Sequence, residues 1–305
     1  MIAIAAVIAT ATAIGFHIET RLGERAERWA RKVTQLMLWV LLPPVAFLNI
    51  AALELTAKVG AGIGFGYAAL LVTAAAAYLV GTHLLHLSRP AVGALILASA
   101  FANTGYLGLP FNAALFGLDG LPNAVAYDIL VTTVGILTVG FSIGAAFGTV
   151  ADRPRARVAA FFSRNPPLWA CALGFLAPDA LAPEWAVDAS QIVVFALLPL
   201  GFFVVGVTLA AEADEGRMRF PPPLGAAVGV ALALKLLVAP ATVAGLSQVV
   251  LEVPDPYLVQ AGMASAINGI VIAHVYGLDR GLIAAAIAWS TAIAVVAGLA
   301  VALLA

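Results

Sequence analysis

Apolar positions along this chain gather into long uninterrupted blocks, and short polar stretches separate them. Blocks long enough to cross roughly 30 Å of hydrocarbon at about 1.5 Å per residue fall at residues 2–18, 33–52, 61–81, 90–118 and 122–147. Five more fall at 165–180, 190–210, 222–248, 256–277 and 281–303. Their length is that of helices, and the ten-residue alternation of an outer-membrane barrel is missing. The pattern predicts ten membrane spans, an all-α polytopic fold and no soluble domain. Residues 1–16 are Ala-rich and have no basic n-region before them, so they are expected to stay as span 1 rather than to be cleaved as a signal.

One block does not read as a clean span. The middle of 90–118 is Asn103-Thr104-Gly105-Tyr106-Leu107-Gly108-Leu109-Pro110. A helix interior loses about 1 kcal/mol for each Gly and about 3 kcal/mol for a Pro. The freed backbone groups cannot face lipid. A helix break facing protein, water or a ligand is therefore expected here, with a second at Asn268-Gly269 in span 9.

Composition agrees with a membrane solvent: 63% of residues are hydrophobic, 10% are charged and the mean hydropathy is +1.05. Soluble domains carry about 25% charged residues. Charge placement adds a direction. Arg21, Arg25, Arg28, Arg31, Lys32, Arg89, Arg153, Arg155, Arg157, Arg164, Arg217, Arg219 and Arg280 make thirteen of the fifteen Lys and Arg residues, and all fall on one side of the ten-span layout. Basic loops stay in the cytoplasm, so both termini are expected outside it. Lys58 lies opposite, and Lys235 falls within span 8.

The chain also echoes itself. Ala13-Ile14-Gly15-Phe16 returns as Ala172-Leu173-Gly174-Phe175, and Leu41-Leu42-Pro43-Pro44 with Phe47 returns as Leu197-Leu198-Pro199-Leu200 with Phe202. Ala98-Ser99-Ala100 then Asn103-Thr104-Gly105 returns as Ala264-Ser265-Ala266 then Asn268-Gly269. Phe116-Gly117-Leu118-Asp119 returns as Tyr276-Gly277-Leu278-Asp279. The order is kept, which predicts two five-span repeats at 1–150 and 151–305. An odd number of spans inverts the second copy.

These residues resemble the auxin efflux carrier family of membrane transporters, in its short bacterial form. The resemblance covers nearly the whole chain. It rests on Leu42-Pro43-Pro44, the Asn103 to Pro110 motif, Asn165-Pro166, Leu198-Pro199-Leu200 with Gly206, Lys235 with Pro240, and Asn268 with Tyr276-Gly277-Leu278-Asp279. One departure is Ala264, where the family often has Pro before the second break. That change predicts a softer break. The resemblance implies two inverted five-helix repeats whose broken spans 4 and 9 cross near the midplane. Spans 1, 2, 6 and 7 would form a scaffold, and spans 3–5 and 8–10 a core moving against it as an elevator. It further implies a secondary transporter of small organic anions such as auxin, malonate or related carboxylates.

An anion suits the local chemistry. A broken helix exposes N–H groups and about half a positive charge at its new N-terminus, and Pro110 fits a first turn. The candidate substrate residues are Asn103, Thr104, Gly105, Tyr106, Gly108, Pro110, Asn268 and Gly269, with Asn49 as a scaffold contact. A packing kink is the plainer reading of any one Gly or Pro, and the matched pair of breaks favours a site. Asp128 and Lys235 are ionisable residues inside spans, functional by default, and their estimated depths coincide. They are candidates for proton or charge coupling, with a permanent structural ion pair as the alternative.

Other polar groups carry less chemistry. His83 and His86 lack a third metal ligand. Arg21 to Lys32, with Trp29, reads as an interfacial amphipathic segment. Cys171 has no partner for an internal disulfide. Nothing predicts an enzyme, a cofactor, a metal or a nucleic-acid partner. The expected partners are the anion and the cell-membrane bilayer, with a homodimer left open. Two rivals stay open as well: a sodium- or proton-coupled carrier of the same architecture, resembling bile-acid symporters or cation/proton antiporters, and a ligand-binding membrane sensor.

Overall fold

A computed structural model describes residues 2–149, 166–214 and 221–304. Among them the chain is helical, and the described residues form no β-strand beyond one isolated bridge. In chain order the helices are α1 (Ile2–Leu22), α2 (Glu24–Ala51), α3 (Ala57–Leu84), α4 (Arg89–Ala100), α5 (Leu109–Phe116) and α6 (Leu118–Phe147). After them come α7 (Pro166–Leu176), α8 (Glu184–Asp214), α9 (Ala226–Val249), α10 (Asp255–Ala261), α11 (Asn268–Tyr276) and α12 (Arg280–Leu304). Helices α1, α2, α3, α6, α8, α9 and α12 are long and apolar enough to cross a membrane. The protein is a multi-pass membrane protein.

The predicted spans 4 and 9 are not continuous helices. Each is a pair of shorter helices, α4 with α5 and α10 with α11, separated by non-helical residues. The predicted block 165–180 contains the shorter α7, which stops at Leu176 just ahead of Pro178. In the opposite sense, α2 starts nine residues before the apolar block. The segment read as interfacial continues into the span because Glu24–Arg28 and Glu27–Arg31 pair one turn apart, at 3.5 and 3.3 Å. Gly23, at φ +50°, separates it from α1. Asn165 and Arg153, Arg155, Arg157, Arg164, Arg217 and Arg219 lie outside the described residues.

Two close helix pairs depend on small residues. Helix α1 lies along α8, and α7 lies along α2. A Cβ on Gly15 would stand 2.2 Å from the Phe203 carbonyl oxygen, and one on Gly174 would stand 2.7 Å from that of Phe47. Backbones approach this closely only where no side chain intervenes. At one end of α8 the buried Glu212 pairs with Arg280 at the start of α12.

Remaining apolar burial falls into two main clusters. One surrounds α4, α12 and the interrupted segments, and the other joins α2, α3, α6 and α10. Tyr106 packs against both. Helices α5 and α11 are each followed by a glycine with positive φ, Gly117 at +71° and Gly277 at +69°, and only Gly277 forms the αL cap. A left-handed residue after a helix favours Gly.

Gly15→Val should overpack the α1–α8 contact. Overpacking of this kind costs about 1–3 kcal/mol, and thermal unfolding in detergent should show a lower midpoint, with Gly174→Val acting likewise on α2 and α7.

Candidate functional site

The two interruptions touch. Helix α4 ends at Ala100, and Phe101 leaves it with φ −104° and ψ 137°. Ala102 then pairs antiparallel with Ser265. The Asn103 N–H donates to the Ala264 carbonyl at 2.7 Å, and the Ala266 N–H donates to the Phe101 carbonyl at 3.0 Å. Backbone groups with no helical partner are thus paired across the breaks, as an apolar surrounding demands.

Ser265 strengthens the second break. Its N–H donates to Ser290 Oγ at 2.9 Å, and its own hydroxyl donates to the Ala98 carbonyl at 2.7 Å. The softer break expected from Ala264 is therefore not what the structure holds. Hydrogen bonds from α12 and α4 hold the segment open where a Pro is missing.

Past the bridge the first chain re-enters helix through a wide turn at Thr104–Gly108, continuous with α5. Its glycines sit inside this π-type turn rather than in the extended residues. Pro110 follows directly on this turn as the second residue of α5, inside the continuous helix, where it supplies no backbone N–H to the turn before it. Gly108 has another constraint: a Cβ there would stand 2.0 Å from Gln260 Oε1. Gln260, on α10, donates through Nε2 to the carbonyls of Ala124 at 2.9 Å and Thr104 at 3.4 Å. It ties the turn to α6.

A cavity of about 420 Å³ lies against this junction. Residues of α2 and Pro167 of α7 border it, together with Ala102 to Tyr106, α6, residues 266–268, Val271 and Ile272. Most of the wall is apolar. The polar side chains that reach it include Asn103, Thr104, Tyr106, Asp128, Thr132, Thr133 and Asn268. Asn103 is buried, and its Nδ2 has no acceptor. The amide of Asn268, the first residue of α11, is exposed to the cavity. Thr104 Oγ1 donates to Asp128 Oδ1 at 2.5 Å.

Of the sequence candidates, Asn103, Thr104, Gly105, Tyr106, Asn268 and Asp128 line the cavity together. Gly108, Pro110 and Gly269 are not in its wall and shape the helices beside it. Asn49 is elsewhere. Its Nδ2 donates to the Val45 carbonyl at 2.9 Å and to Ser190 Oγ at 3.2 Å, and its Oδ1 accepts from Gln191 Nε2 at 3.1 Å. It joins α2 to α8.

Lys235 is also apart from the cavity. It is 2% exposed and has no hydrogen bond or ion pair among the described residues. It borders a separate hollow of about 10 Å³ beside Phe101 and Tyr127. Ala102 and Thr132 line both hollows and form the wall between Lys235 and Asp128. Equal depth does not make the two an ion pair, because they face opposite sides of the unwound segment. His83 and His86 are exposed near the end of α3.

Comparison with known proteins places this architecture. The family described as membrane transport protein matches residues 159–301. An uncharacterized transporter of Methanocaldococcus jannaschii is 27% identical over 273 residues, which cover 86% of this chain and 85% of that one. Another uncharacterized transporter, from Methanothermobacter thermautotrophicus, is 31% identical over 210 residues, or 66% of this chain and 64% of that one. By these matches the chain is similar to the membrane transport protein family. It is the family that its own motifs resemble.

For a membrane transport protein the missed residue of most consequence is Gln260. In sequence it is one polar residue in Tyr257-Leu258-Val259-Gln260-Ala261, and the only hint is that an amide is rare in so apolar a block. Gly108→Ala should push Gln260 off the Thr104 and Ala124 carbonyls. Buried hydrogen bonds are each worth about 0.5–1.5 kcal/mol, so initial transport rates in proteoliposomes should fall by about tenfold. Gly108→Ala combined with Gln260→Ala should recover part of the loss.

Proposed function

We propose that this membrane transport protein is a secondary transporter that carries a small organic anion, a mono- or dicarboxylate or an auxin-like acid, through the cavity beside the Ala102–Ser265 bridge. The observation that carries this reading is the convergence of unused donors on one apolar-walled cavity. Asn103 Nδ2 is buried without an acceptor, the Asn268 amide is exposed there, and the first residues of the helix that begins at Thr104 line the same space. The first N–H groups of a helix have no intrahelical acceptor and favour negative charge. A cavity of this volume fits small carboxylates.

The same reading divides the chain into inverted repeats at 1–150 and 151–305, with ten spans and both termini outside the cytoplasm. Reciprocal contacts support it. Gly15 of the first repeat meets Phe203 of the second, and Gly174 of the second meets Phe47 of the first. Phe47 follows Pro43 by four residues, just as Phe203 follows Pro199. Gly117 and Gly277 both follow a half-helix with positive φ. In this division α1, α2, α7 and α8 form the scaffold and the broken spans belong to the moving core. The cavity then lies on their boundary, where sliding of one against the other alternates access. Its border at Thr34 and Pro167 lies toward the cytoplasm by the positive-inside rule.

One observation favours a cation-coupled carrier as the second reading. Asp128 lines the cavity, and no Lys, Arg or His joins it there among the described residues. Two carboxylates about 4 Å apart repel by about 4 kcal/mol at an effective dielectric near 20. An anion site of this composition needs a positive companion, and a sodium-binding site would use the same carboxylate.

Radiolabelled counterflow in proteoliposomes, with malonate, malate, lactate and indole-3-acetate, tests the main reading. At least one anion should exchange in sodium-free buffer, and Asn103→Ala should reduce its exchange by at least about tenfold, the loss of roughly one charge-assisted hydrogen bond. Exchange that requires sodium would support the second reading instead.

A further inference from the structure

The charge inventory of the cavity leads one step further. Asp128 is the only acidic side chain in its wall, and no basic side chain accompanies it among the described residues. Only one of its oxygens is engaged: Oδ1 accepts from Thr104 Oγ1, while Oδ2 has no hydrogen-bond partner and is not fully buried. The carboxyl group thus has a free oxygen in a cavity that the unused donor Asn103 also lines.

The surroundings offer no other source of positive charge at contact distance. The wide turn at Thr104–Gly108 contributes Tyr106, α3 contributes Tyr67, whose hydroxyl donates to the Leu130 carbonyl at 2.5 Å, α6 itself contributes Tyr127, and α7 contributes Cys171. All of these are neutral in their ordinary protonation state. Lys235 on α9 is walled off by Ala102 and Thr132.

We propose that the organic anion crosses together with one proton, carried on Asp128 Oδ2. This rests on the anion reading above. The protonated carboxyl removes the like-charge repulsion and becomes a donor to the anion. Oδ1 still accepts from Thr104. When the anion leaves, the proton leaves Oδ2 for water, and the carboxylate is restored. For a monoanion the cycle moves no net charge; for a dianion it moves one negative charge.

Thr104 makes the site sensitive to this proton for a structural reason. Its hydroxyl holds Asp128, its carbonyl accepts from Gln260, and its neighbour Asn103 is held by the bridge to Ala264. Charge on one carboxyl is therefore felt by α6, α10 and both breaks through a single residue.

The test uses wild-type protein in proteoliposomes loaded with a pH-sensitive dye, clamped with potassium and valinomycin, with labelled lactate, indole-3-acetate and malonate supplied outside. The expected result is one proton entering per anion, and about tenfold greater accumulation for each unit of inward pH gradient. Asp128→Asn should lose proton entry and the response to pH, and Asp128→Glu should restore both. Labelled anion entering wild-type vesicles without protons, or with sodium in their place, overturns the inference while leaving anion transport standing. Absence of counterflow for every anion overturns the anion reading and this inference together. The wild-type flux ratio decides the matter even where a variant fails to fold.

Discussion

Backbone that leaves a helix inside a membrane must find partners within the protein, and this constraint organises the molecule. The solution is a short antiparallel bridge, Ala102 with Ser265, in which each interrupted segment satisfies the other. Everything near the cavity follows from that pairing. It fixes where α4 stops, holds Asn103 beside the cavity, and places the start of the next helix against Asp128. Neither break can close into a continuous helix without orphaning groups on the other.

The bridge also explains why residues with no chemistry of their own matter. Ser265 and Ser290 keep the second segment extended, Gln260 ties the wide turn to α6, and the missing side chain at Gly108 leaves it room. Away from the site, the small residues Gly15 and Gly174 let α1 and α7 lie flat on α8 and α2. Tyr106 belongs to the cavity and to both apolar clusters, with its ring over Gly201 of α8. Movement between the two groups of helices would be felt at this side chain first.

Much of the fold was legible because bilayer length and hydropathy act along the chain. The long helices, the two interruptions and the isolated acid at Asp128 could be read that way. What the chain could not reveal is direction around a helix axis. Depth alone put Asp128 and Lys235 together, yet the unwound segment lies between them. Asn49 looked like a site amide, and its partners Ser190 and Gln191 sit 141 and 142 residues away. Gly105 and Gly108 pointed to a break two to five residues past the extended stretch, because a wide turn absorbed them. Ala264 suggested a soft second break, and hydrogen bonds from its neighbour Ser265 to the distant Ser290 and Ala98 hold it open.

Central to this account is an organic anion held at the bridge by donors around Asn103. Ligand that binds only the folded state raises stability, by about 2.7 kcal/mol at a hundredfold excess over Kd. Thermal unfolding of purified protein with malonate, malate, lactate and indole-3-acetate measures this without any transport cycle. The account predicts that at least one anion raises the midpoint of the wild-type protein and that Asn103→Ala abolishes the rise while Asn49→Ala, remote from the cavity, keeps it. An anion that stabilises wild type and Asn103→Ala equally would place the site elsewhere and contradict the account.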